Sequence, residues 1–249
     1  MKRLFWLVLV GLVLFSLVLG GCAAKAEKVR IATDATWPPF ESVSEQTKEI
    51  EGFDIDLMTA IAEEAGLEIE FVNVGWDPLL AGMAQCQYDA AISAMTITEE
   101  RKEKFLFSDP YFEAGQIVTV RIDNTEIASK DDLAGKVAGA QIGTTGSFEI
   151  EKIEGATLKT YDDIGLAMQD LMNGQIDAVV ADNPLALGYI GKNADKLKAA
   201  GGVFTEENYG IAVCKTKPEL VAKINEGLAA VKAAGVIDQL VDKWLAPAE

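Results

Sequence analysis

Histidine is absent from the 249-residue chain, Lys and Arg number only 22 against 39 acids, and there are three cysteines, Cys22, Cys86 and Cys214. Without histidine, serine triads, most catalytic zinc sites and pH switches near neutrality lose their commonest participant, and neither a metal nor another cofactor is expected. The shortage of basic residues gives a formal net charge of −17. It argues against nucleic acid as a partner, because phosphate binding depends on Lys and Arg and the counterions they release. No basic face is left to coat an anionic membrane either. Three cysteines do not make a disulfide scaffold, and none is needed for size: a chain this long can bury one large core or two medium ones. The apolar share of 49% excludes an extended disordered chain.

One apolar run, Leu4 to Leu19, follows Lys2 and Arg3 and precedes Gly20, Gly21 and Cys22. Residues 1–21 read as a secretory signal peptide, since the run is shorter than the roughly 20 residues a spanning helix needs. Small residues directly before a cysteine resemble the lipobox of bacterial lipoproteins. Cleavage there leaves the Cys22 thiol for a diacylglyceryl thioether; the alternative is an uncleaved anchor. Either way the remainder lies outside the cytoplasmic membrane, held to it in the periplasm or at the cell surface. Cleavage leaves 20 basic residues against 39 acids, a net charge of −19, and residues 22–28 as a short lipid tether.

The rest alternates strands and helices. Val29–Asp34 is β-branched, and Ala35–Phe40 is a loop around Pro38-Pro39. Phe53, Leu57, Ala60 and Ile61 recur at helical spacing up to Gly66. Strand Leu67–Val74, helix Pro78–Gln85 and strand Asp89–Ala94 complete a first βαβαβ set. A second set comprises extended Gln116–Arg121, strand Lys136–Ala140, a helix from Ser147, strand Leu158–Tyr161, helix Ile164–Asn173 and strand Ile176–Ala181. Extended Gly210–Val213 and helices Pro218–Ala234 and Val236–Trp244 close the chain. Such alternation predicts two α/β lobes, each a mostly parallel sheet flanked by helices. An offset of 88 residues aligns Gln87 with Gln175, Asp89 with Asp177 and Ala90 with Ala178, which sets Ala94 opposite Asp182. If the lobes share a topology, their strand ends face one cleft, where open α/β sheets bind ligands.

Polar residues gather past those strand ends: Asp34, Ser93 to Thr96, Gly143 to Ser147, and Asp182. Thr98 is a candidate N-cap with Glu99 and Glu100 suited to a first turn. Arg101 opposes that dipole, so it either pairs with Glu103 or Asp109 at the surface or grips a carboxylate bidentately. Gly143–Ser147 is either an anion-holding turn or a plain turn capped by Ser147. Asp182 either caps the next helix or accepts an ammonium group.

The segments Gly52-Phe-Asp-Ile-Asp-Leu57, Tyr88-Asp-Ala-Ala-Ile-Ser-Ala-Met-Thr-Ile-Thr-Glu-Glu-Arg101, Phe107-Ser-Asp-Pro-Tyr111 and Gly143-Thr-Thr-Gly146 closely resemble the polar amino-acid-binding proteins of ABC importers, family 3 of the extracellular solute-binding proteins. The resemblance runs from about Lys28 to Leu245. It implies a type II periplasmic-binding-protein fold with two crossover strands, lobe 1 being residues 29–114 plus 209–249 and lobe 2 residues 117–204. It further implies that Arg101 holds the ligand α-carboxylate with the Thr96 region and the Thr144-Thr145 turn, and that Asp182 accepts the α-ammonium with Ala94 and Thr96. Trp37 and Trp76 would sandwich the ligand side chain, while Asp34 and Glu41 meet its distal end. Gln141, where glutamine-binding members often have Lys, and Ala94 beside Ser93, where some have Ser, depart from the pattern. The partners implied are an amino acid and an ABC permease with its ATPase, the protein itself being a monomer.

Burying a zwitterion requires both charges to be paired, so a ligand touching both lobes would favour closure. The competing reading is an enzyme of the cyclohexadienyl dehydratase kind, with Glu41 or Asp34 as general acid; the zwitterion-binding set argues against it. A receptor input domain is a third reading, in which signalling would need a partner protein. With Cys22 committed to lipid, Cys86 and Cys214 form an even pair that is either bridged, as the family topology suggests, or two separate thiols. Asp34 and Glu41 around Trp37, with Gln141 in place of a Lys, favour a cationic ligand, arginine first; glutamine is the alternative.

Overall fold

The computed structural model describes residues 28–245, so the signal peptide, Cys22 and nearly all of the tether lie outside the described residues. Within them the chain builds two five-stranded sheets of the same order. In the first the order is Ile69–Asn73, Val29–Thr33, Ala90–Ala91, Ala212–Val213, Leu106–Phe107; in the second it is Thr157–Tyr161, Val137–Gln141, Ala178–Asp182, Gln116–Arg121, Leu197–Ala200. Four strands of each run one way. The exceptions, Ala212–Val213 and Gln116–Arg121, pair antiparallel on both sides. Each is the segment that has just crossed from the other lobe, so it enters its sheet without a helix to reverse it. The crossing segments themselves, Phe112–Ala114 and Glu207–Tyr209, pair antiparallel with each other.

Helices cover the sheets because their apolar faces need burial. Phe53–Ala65 buries Phe53, Leu57, Met58 and Ile61, and Gly66 ends it in the left-handed conformation that glycine adopts without a Cβ penalty. It packs on Pro218–Ala233 through a core that includes Ile31, Ile224 and Leu228, while Val118, Val120, Leu133 and Val180 anchor a separate core in the second lobe. No helix among the described residues is long and apolar enough to cross a membrane.

The 88-residue offset has a physical counterpart. Asp89 accepts the Arg30 amide at 2.7 Å, and Asp177 accepts the Val137 amide at 2.8 Å, each locking the start of its lobe's first strand. Ile31 lies beside Ala90 as Ala138 lies beside Ala178, so Asp34 matches Gln141 and Ala94 matches Asp182.

Several elements differ from the sequence reading. The expected loop 35–40 joins a three-stranded hairpin sheet of Thr36–Trp37, Glu41–Val43 and Ile50–Glu51. The expected strand Asp89–Ala94 is regular only at Ala90–Ala91, because Ala94 turns into the left-handed region at φ 43°. The cap of helix Thr145–Glu151 is Thr144, not Ser147. Cys86 and Cys214 are bridged, with Cα atoms 5.1 Å apart.

Candidate functional site

One cleft, enclosing about 310 Å3 of space partly open to solvent, is lined by Asp34, Trp37, Trp76, Ser93, Ala94, Thr96, Arg101, Gln141, Thr144, Thr145 and Asp182. These are the residues expected from sequence with one exception. Glu41 is fully buried behind the wall, where its carboxyl group accepts the Ser93 hydroxyl at 2.8 Å; the hairpin turns it inward, away from the cleft.

Arg101 enters from the short helix Glu99–Lys104, whose N-cap Thr98 accepts the Arg101 amide. Its guanidinium donates to the carbonyls of Thr96 at 2.8 Å and Gly143 at 3.2 Å, and it stacks 5.1 Å over the Trp76 ring. The surface pairing with Glu103 or Asp109 does not occur, and among the described residues no carboxylate lies within 4.0 Å of the guanidinium. Burial pulls its pKa down against the opposing pull of Asp182 and Glu207.

Asp182 ends a fully buried strand and stands at the N-terminus of helix Asn183–Lys192, yet its side chain makes no capping bond. It accepts instead from Gln116 at 2.6 Å and from the Tyr209 hydroxyl. Burial first, then the Glu207 charge, push its pKa up to about 7, with the hydrogen bonds and Arg101 pulling the other way. Thus, among the described residues, the cleft holds a guanidinium without an ion-pair partner and a carboxylate without one, on opposite lobes.

At the other end, Asp34 accepts from Thr36 Oγ1 and Gln141 Nε2, each at 2.9 Å. Burial still raises its pKa. Gln141 also donates to the Asp162 carbonyl, so its amide is fixed. Trp37 and Trp76 flank this region with indole N–H groups that have no partner among the described residues. The segment Gly143–Gly146 needs glycine at both ends. Gly143 has φ 69°, and a Cβ on Gly146 would lie 2.8 Å from the Val180 carbonyl oxygen.

Sequence reading missed Glu207, which accepts from Thr96 on one lobe at 2.6 Å and Thr145 on the other at 2.9 Å. Gln116 and Tyr209, which orient Asp182, were missed as well. Glu207 and Tyr209 lie on a crossing segment and Gln116 at the start of the strand that follows the other, where the local sequence carries no signal for the cleft.

The model of the bacterial extracellular solute-binding proteins, family 3, matches residues 29–247. The chain belongs to that family. This solute-binding protein is 37% identical over 229 residues to ABC transporter arginine-binding protein 1 of Escherichia coli, covering 89% of this chain and 92% of that one. It is also similar to the structure of an ancestral arginine-binding protein bound to arginine, with a TM-score of 0.84 and 41% identity over 88% of this chain and 98% of that one. An ancestral arginine-binding protein bound to glutamine matches with a TM-score of 0.83 and 42% identity, over 87% and 97%. Family members act outside the cytoplasm, and these relatives are binding proteins.

Proposed function

We propose that this solute-binding protein captures an α-amino acid, L-arginine in the first place, and delivers it to an ABC permease and its ATPase. The observation that carries the reading is the pair of uncompensated charges, Arg101 and Asp182, facing each other across the cleft. An α-carboxylate bridged to Arg101 and an α-ammonium bridged to Asp182 would relieve both burial penalties at once. The ammonium also has the Ala94 and Thr96 region beside it, and the carboxylate has the Thr144-Thr145 turn. The lobes that close on it are residues 29–114 with 209–249 and residues 117–204. A ligand side chain then runs between Trp37 and Trp76 toward Asp34, where a guanidinium adds cation–π attraction of about 0.5–2 kcal/mol per ring. Asp34 is buried without a cation among the described residues, and Gln141 adds no positive charge to repel one. The arginine-binding relatives favour the same ligand.

Glutamine is a second reading, favoured by the glutamine-bound ancestral structure and by the acceptor character of Asp34 toward an amide. A dehydratase would need a general acid at the leaving group; of the two acids named for that task, Glu41 is walled off and Asp34 remains. The N-terminal lipid on Cys22, a membrane tether for a monomeric receptor, belongs to the same proposal. Thermal shift of ligand-stripped protein with arginine, lysine, ornithine, histidine, cystine and glutamine tests it, since a ligand of the folded state raises the midpoint. Arginine should give the largest shift. A large shift with glutamine and none with arginine would replace the ligand; none with any amino acid would end the proposal.

A further inference from the structure

Glu41 and Asp54 are both fully buried, the Asp54 charge helps raise the pKa of Glu41, and one oxygen of each, Glu41 Oε2 and Asp54 Oδ1, has no hydrogen-bond partner among the described residues. Ionised carboxylates only accept hydrogen bonds, so these two buried oxygens can satisfy each other only through a proton. Gly52 brings the two together. A Cβ there would lie 2.1 Å from the Phe40 carbonyl oxygen, and the amides of Phe53 and Asp54 donate to Pro39 at 3.1 Å and Phe40 at 3.0 Å. The strand carrying Glu41 is thereby fastened to the helix start carrying Asp54.

The remaining oxygens decide where the proton sits. Asp54 Oδ2 accepts from the Ala94 amide at 2.7 Å and the Tyr111 hydroxyl at 2.8 Å, whereas Glu41 Oε1 accepts from the Ser93 hydroxyl. Glu41 Oε2 and Asp54 Oδ1 are the oxygens left without a partner among the described residues. Two donors favour the anion on Asp54 more than one does on Glu41. Burial, the largest influence on both, drives Glu41 well above the usual carboxylate range and Asp54 up to about 7. Asp34 adds repulsion at Glu41, Tyr111 faces Asp54, and neither acid joins an ion pair among the described residues.

We infer that Glu41 and Asp54 share one proton and together position the binding turn, neutral Glu41 holding Ser93 and anionic Asp54 holding the amide of Ala94. Ala94 has φ 43°, a region alanine rarely adopts, so its conformation requires an external hold. Both turn residues line the cleft, and the effect on affinity rests on the amino-acid reading of that cleft. The shared proton does not.

Two measurements separate these. In infrared difference spectra at a pH where ordinary carboxylates are ionised, wild-type protein should show the C=O stretch of a neutral carboxylic acid that Glu41→Gln lacks. Absence of that difference would overturn the shared proton, whatever the ligand. With L-arginine as probe, Glu41→Leu removes the donor to Asp54 and the acceptor for Ser93, and should weaken binding roughly tenfold or more. Glu41→Gln, whose amide supplies both, should restore most of the loss. Above about pH 7, where Asp182 is ionised, wild-type affinity should fall more steeply with rising pH than that of Glu41→Gln, because titration of the ligand ammonium is common to both. Parallel pH profiles, or equal losses in the Leu and Gln variants, would overturn the positioning role.

Discussion

Asp182 is a carboxylate held at the edge of neutrality. Its pKa is raised from an ordinary 3.8 to about 7 by burial and by Glu207. Between those values the folded, ligand-free protein keeps a proton that the unfolded chain has lost, so this residue makes stability fall as pH rises from about 4 to about 7 and then level off. An ammonium group selects the ionised form. Arginine affinity should therefore rise with pH across the same window, and binding within it should release a proton to solvent. Calorimetry in two buffers of different ionisation enthalpy reads that release directly; proton-neutral binding there would contradict the assignment of the ammonium to Asp182. Gln141 invites a second substitution. Its amide donates to Asp34 at 2.9 Å, so Gln141→Lys should place a cation on that carboxylate and compete with a cationic side chain. Losing one charge-assisted contact is worth about 1.5–3 kcal/mol, roughly a tenfold to hundredfold loss of arginine affinity by calorimetry, with glutamine affected less.

The Cys86–Cys214 bridge ties the end of helix Trp76–Ala84 to the strand that returns from the second lobe. Cys86 has φ 53°, and the matching position of the other lobe is Gly174 at φ 71°. The same left-handed stop is thus made by glycine in one lobe and by a bridged cysteine in the other. The bridge closes a loop with a sequence separation of 128, for which loss of unfolded-state entropy is worth about 2–5 kcal/mol. Cys86→Ser with Cys214→Ser should lower the urea midpoint accordingly; an unchanged midpoint would show that the returning strand is held by its pairing alone. At this scale the long periodic helices were readable to within two residues: Phe53–Ala65, Ile164–Met172 and Pro218–Ala233 each have a regular apolar face and a glycine at or near the end. Of the two-residue strands, Ala90–Ala91 and Ala212–Val213 fell inside longer extended readings and Leu106–Phe107 was not read at all, because such short strands owe their form to neighbours far along the chain. Helix Asn183–Lys192 was missed in extent because Pro184, Gly188 and Gly191 lower its helical propensity.

Across the whole molecule, two sheets of the same strand order place matching positions face to face. Asp34 and Gln141 meet in a hydrogen bond, while Ala94 and Asp182 both line the cleft. The motif residues of the cleft were legible because they cluster at strand ends. The third carboxylate, Glu207, was not, since it meets Thr96 at a separation of 111 residues and only the fold joins them. With one oxygen it accepts from both lobes, so it fastens the closed arrangement. A ligand that touches Arg101 on one lobe and Asp182 on the other would bias that arrangement by differential contact, as a population shift requires. The most direct test is a calorimetric titration of ligand-stripped protein with L-arginine, run in parallel on Arg101→Ala whose fold is verified by circular dichroism. The account predicts saturable one-to-one binding by wild-type protein, and a loss of about 2–5 kcal/mol in the variant, where a truncated charge contact leaves the α-carboxylate unpaired. Undiminished arginine binding by Arg101→Ala, or no binding by the wild-type protein, would contradict it.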